Sequence, residues 1–87
     1  MPEILDAKRK RLLFRCTHMG MKENDVMFGD FANAHMATMT DDEVEDLERL
    51  LGNNDMDLFK WVMGKADVPG EWNTAMMKRL RDFNDGQ

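Results

Sequence analysis

Reactive and structure-specifying residues are scarce in this sequence: one cysteine, two histidines, two prolines and six glycines among 87 residues. Each shortage closes a class of function. A single thiol, Cys16, cannot form an internal disulfide, which points to a reducing compartment. On the apolar face of a helix it reads as a small core residue rather than a nucleophile. The glycines are scattered at helix ends and loops and form no phosphate-cradling loop. His18 and His35 fall on different predicted helices with no carboxylate–thiol pattern around them, so structural histidines are favoured over a zinc pair. No apolar run approaches the roughly 20 residues of a membrane-spanning helix. Met1-Pro2-Glu3 lacks the basic-then-apolar opening of an export signal, so a cytoplasmic chain without membrane insertion is expected. β-branched residues are few and never alternate with period two, which removes the strand signal.

What remains is helical. A chain of this length buries only about 60–65% of its unfolded surface, enough for one thin core and not for a cofactor domain beside it. Residues 1–87 are therefore read as one all-α domain, a compact bundle of about five short helices with flexible ends near 1–4 and 84–87. The first helix is predicted over Leu5 to His18, with Leu5, Leu12, Cys16 and Met19 on one face and Gly20 closing it in a left-handed conformation. The second runs from Met21 to Ala37, with Met27, Phe31 and Ala34 as its stripe and the unfavourable Gly29 inside it. Thr40-Asp41-Asp42-Glu43 is a capping box that opens the third, where Val44, Leu47 and Leu51 face inward until Gly52. Asn53-Asn54-Asp55 caps a short fourth helix ending near Gly64, with Phe59, Val62 and Met63 inward. The fifth follows Val68-Pro69-Gly70 and carries Trp72, Met76, Leu80 and Phe83.

Charge is unevenly spread over a net of -5: residues 1–20 sum to +3 and residues 40–57 to -7. Two readings stand side by side. The clusters are solvated helix faces, or they orient a partner of mixed charge. The acidic cluster does not match an EF-hand loop, which needs alternating ligands around a glycine. Ten methionines are many for this length. Most should fill the gaps between short helices, while Met19, Met21 and Met27 gather at the first interhelical joint, where a contact role competes with a core one.

That joint reads Arg15-Cys16-Thr17-His18-Met19-Gly20-Met21-Lys22-Glu23. It resembles the Arg-Gly-x-x-Glu signature of the succinate dehydrogenase FAD assembly factors, with Gly20 and Glu23 matching and Met19 standing where the family has arginine. The Thr-Asp-Asp-Glu helix start, Leu50-Leu51-Gly52 before an acidic turn, and Asp57-Leu58-Phe59-Lys60-Trp61 resemble the family in the same order. The likeness covers roughly residues 8 to 83. It implies a five-helix bundle that binds the apo flavoprotein subunit of succinate dehydrogenase, or of fumarate reductase, and promotes covalent FAD attachment there. On that reading the chain is no enzyme and holds no cofactor stably, because FAD belongs to the client. It is monomeric when free, and Met19, Gly20 and Glu23, with Lys22 and Arg15 as neighbouring cations, make the partner surface. Losing the arginine removes a planar, bidentate cation from that surface. The rival reading is an antitoxin-like or nucleic-acid-binding regulator, suggested by Lys8 to Arg11 and opposed by a pI of about 4.9.

Overall fold

A computed structural model describes residues 6–85. Its elements are α1 (Ala7–Thr17), α2 (Lys22–His35), α3 (Asp41–Leu50), α4 (Asp55–Val62), a 3-10 turn (Gly70–Trp72) and α5 (Ala75–Asp85). There is no strand among the described residues, and the all-α expectation holds. No described helix is long and apolar enough to cross a membrane.

Local signals account for most helix starts. Asp6 accepts the Arg9 N–H at 2.8 Å and so begins α1 later than the Leu5 expected; Leu5 itself lies outside the described residues. Thr40 and Glu43 close the capping box in both directions, at 3.1 and 2.8 Å. Asn54 takes the Met56 and Asp57 N–H groups at the head of α4. Gly64, at φ 73°, ends α4: its N–H reaches the Trp61 carbonyl, and that of Lys65 reaches Lys60. That pattern is a Schellman closure. At α5 the expectation was wrong in detail. Trp72 belongs to the 3-10 turn, and α5 starts only after Thr74, whose hydroxyl accepts the Met77 N–H. Asn84 and Asp85, expected to fray, are the last residues of α5, and Asn84 donates to Met63 Sδ at 3.3 Å. The expected flexibility of residues 1–4 and of Gly86 and Gln87 concerns positions outside the described residues.

All five helices feed one apolar cluster that includes Leu12, Cys16, Phe28, Phe31, Leu47, Leu58 and Leu80. Two faces are rotated from the sequence expectation. On α2 the buried residues are Asn24, Phe28, Gly29, Phe31 and Ala32, while Met27 is half-buried and Ala34 exposed. Gly29 explains the choice. A Cβ there would lie 3.1 Å from Thr17 Cγ2 and 3.4 Å from the Cys16 carbonyl oxygen, so the glycine face is the one that lets α1 close. On α4, Leu58, Trp61 and Val62 are buried and Met63 is 43% exposed. Apolar residues surround this eight-residue helix, so periodicity alone could not choose its inner face. Of the methionines, Met36, Met39, Met76 and Met77 are core.

The two charge clusters partly meet each other. Lys8 of α1 lies 3.9 Å from Glu48 and 4.0 Å from Glu45, and Arg9 bonds Asp41 at 3.0 Å and the Met36 carbonyl at 2.7 Å. The capping box is tied onward to α5, because Arg79 bonds Glu43 at 2.6 Å and sits 5.6 Å from the centre of the Phe31 ring.

Thr40→Ala should destabilise the fold by about 1 kcal/mol in urea unfolding, the usual worth of a helix cap. The Glu43 carboxyl is held below the usual carboxylate range, chiefly by the Thr40 N–H and further by Arg79, against desolvation. A lowered folded-state pKa gives stability that is present above the unfolded value and lost as pH falls through the folded one. The stability difference between parent and Glu43→Gln should therefore shrink on acidification below about pH 4.3. Urea titrations at neutral and acid pH read it directly.

Candidate functional site

Between α1 and α2 the chain turns a corner in four residues, His18 to Met21, and the N–H groups of Met19 and Gly20 fall beyond the reach of the α1 carbonyls. Side chains supply them. The Met19 N–H donates to the Asp25 carboxylate, from the first turns of α2. The Gly20 N–H donates to Asp55 Oδ2 at 2.6 Å, from a residue 35 positions away at the head of α4. Asn24, with no exposed surface, donates through Nδ2 to the Asp55 carbonyl at 2.8 Å. Its Oδ1 meets no hydrogen-bond donor among the described residues. The corner is thus gripped from below by two carboxylates and a buried amide.

The residues singled out in sequence divide on this frame. Gly20, Lys22 and Glu23 are exposed at the corner, with Lys22 and Glu23 in the first turn of α2. Met19 is half-buried and packs against the core, so its side chain is only partly available to a visitor. Arg15 is exposed in the last turn of α1. It makes no ion pair with any described residue. Gly20 does not adopt the left-handed conformation expected of it; Gly64 is the one described residue with positive φ. The α1 cap is His18, whose N–H returns to the Arg15 carbonyl at 3.3 Å.

Sequence reasoning missed two parts of the site. Asp25 and Asn24 carry no expectation, and Asp55 is expected only as part of the turn and cap before the fourth helix. A run of three cap-competent residues, Asn53-Asn54-Asp55, was the available signal, since a helix start uses only one of them. The second omission is a groove of about 520 Å³ beside the corner, walled by Lys22 and Glu23 and floored by Val26, Met27, Phe59 and Met63. Val26 is 53% exposed there, so an apolar strip runs directly from the charged first turn of α2.

Burial pushes the Cys16 thiol up to about 12, against a smaller opposing effect of Arg15, which keeps it protonated and inert. Among the described residues no three His, Cys, Asp or Glu side chains gather closely enough to hold a metal ion. His18 stacks on the exposed Phe14 with ring centres 3.8 Å apart, and His35 packs against Phe31 and Phe83.

The chain is 40% identical over 76 residues to the FAD assembly factor SdhE of Acetobacter pasteurianus, covering 87% of this chain and 70% of that protein. It is 36% identical over 77 residues to the mitochondrial succinate dehydrogenase assembly factor 2 of Dictyostelium discoideum, covering 88% of this chain and 55% of that protein. Against the protein of the same name from Candida glabrata it is 33% identical over 89 residues, covering 98% of this chain and 58% of the relative. It thus spans a little over half the length of these mitochondrial relatives. The family model described as flavinator of succinate dehydrogenase matches residues 10–84, and the chain belongs to that family.

Proposed function

We propose that this chain binds the flavoprotein subunit of succinate dehydrogenase and promotes covalent attachment of FAD to it, meeting the client with the α1–α2 corner and the adjoining groove. The observation that carries the reading is the corner itself. Gly20, Lys22 and Glu23 stand in solvent on a backbone held from inside by Asp25 and Asp55. A surface held in shape before binding loses less freedom when it docks.

The chain acts without a catalytic group of its own. Covalent flavinylation requires the flavin ring edge and an acceptor side chain of the client in reacting geometry, and orientation of bound groups supplies several kcal/mol of barrier reduction. A helper that binds the attachment-competent client better than the open one shifts that equilibrium. A tenfold shift takes only about 1.4 kcal/mol of differential binding, well within a modest interface. FAD stays with the client, and a fumarate reductase-type subunit offers the same chemistry as an alternative client. The helper works as a cytoplasmic monomer and leaves after attachment. The nucleic-acid reading loses ground, since Lys8 and Arg9 of the basic run engage α3 instead of projecting as a free stripe.

The deciding experiment incubates apo flavoprotein subunit with FAD, with and without this chain, and reads covalent flavin by in-gel fluorescence. Equal labelling in both lanes overturns the proposal. Glu23→Lys and Val26→Asp should each lower the rate by about tenfold at unchanged helicity, as expected of residues near the centre of an interface. Met19→Arg should tighten client binding several-fold, roughly one charge-assisted hydrogen bond's worth, by restoring the bidentate cation. A calorimetric titration that shows no gain means the client surface is adapted to methionine.

A further inference from the structure

We infer that Asp55 is the positioning residue of the docking corner, and that position 20 is glycine because the Asp55 carboxylate fills the space a Cβ would need, not because the client demands a bare backbone there. This rests on the proposed function and gives one of its surface residues a different physical meaning.

Three observations lead to it. Gly20 is outside the left-handed region, so its conformation does not call for glycine. Among the described residues beyond its chain neighbours, one group crowds it: a Cβ built at Gly20 would fall far inside van der Waals contact with Asp55 Oδ2, and would lie 3.4 Å from Asp55 Cγ. That same oxygen accepts the Gly20 N–H at 2.6 Å, a charge-assisted bond of the stronger kind. The short N–H···carboxylate contact and the missing Cβ are therefore one feature.

Asp55 is free for this task because Asn54 already caps α4 by accepting the Met56 and Asp57 N–H groups. It grips the corner from two sides. Its side chain holds Gly20, and its carbonyl accepts the Nδ2 of the buried Asn24, the immediate neighbour of Glu23. Any side chain at position 20 must push the carboxylate aside, release the Gly20 N–H and loosen the link that presents Lys22 and Glu23. What a side chain at position 20 disturbs is this internal contact and the hydrogen bond it carries.

A double-mutant cycle separates this from a direct client contact. Affinity for the apo flavoprotein subunit is measured for the parent, Gly20→Ala, Asp55→Ala, the double variant and Asp55→Asn, at a temperature where circular dichroism shows each fully folded. The single alanine variants should each weaken binding by about tenfold, and the double variant should be no weaker than Asp55→Ala alone, the non-additivity expected of groups in contact. Asp55→Asn keeps an acceptor oxygen and should stay within about threefold of the parent. Amide hydrogen exchange at Gly20, measured on the free chain, should speed up in Asp55→Ala and return toward the parent rate in Asp55→Asn. If Gly20→Ala costs as much in the Asp55→Ala background as in the parent, the client reads the bare backbone and the inference is overturned. Full binding by Asp55→Ala overturns it as well. A parent chain that neither binds nor promotes flavinylation overturns the proposed function and this role with it, whereas a parent that works with additive losses overturns only this role.

Discussion

The α1–α2 corner depends on a backbone need that no helix can meet. The N–H groups of Met19 and Gly20 fall after one helix has ended and before the next has begun, and they are taken by the carboxylates of Asp25 and Asp55. A carboxylate acceptor makes the stronger class of hydrogen bond to a backbone N–H. One acceptor comes from the following helix and fixes the local turn. The other comes from α4 and ties that turn to the rest of the bundle. Apolar burial would bring α1 and α2 together without these bonds, but it is non-directional and would leave the link between them free to vary.

The remaining contacts make the same argument at larger scale. Gly29 lets α1 approach α2 so closely that a methyl group at that position would crowd Thr17. Glu43 serves its own helix start and also receives Arg79 from α5, so a local cap becomes a tertiary tie. Arg9 spans the gap between the Met36 carbonyl and Asp41 with only 14% of its side chain exposed, which makes it worth more than the loose Lys8 pairs beside it. A chain too short for a deep core reaches a defined shape by giving polar groups two tasks each.

The chain belongs to the family described as flavinator of succinate dehydrogenase. The thiol is buried and protonated, and the histidines are engaged with aromatic rings. What stands in solvent is a first helical turn with Lys22 and Glu23 and an apolar strip through Val26 and Met63. Charge at the edge and apolar surface beside it is how protein interfaces are commonly arranged. In this chain it is the arrangement that the corner presents.

Read alone, the sequence determined the helix count, the start at Thr40, a start within Asn53-Asn54-Asp55 and the stop near Gly64. Those outcomes are set by residues within one helical turn of each other, where propensity, capping and dipole act without reference to the rest of the fold. It misjudged the inner faces of α2 and α4, because both helices are apolar on more than one side and only the neighbour that packs against them makes the choice. It also gave Gly20 a left-handed turn that the backbone does not make. The partner that explains this glycine, Asp55, is 35 residues distant, and no spacing rule links an N–H in a loop to a carboxylate on another helix. Local chemistry is written in neighbouring letters, but a carboxylate filling the place of a Cβ exists only once the chain has closed on itself.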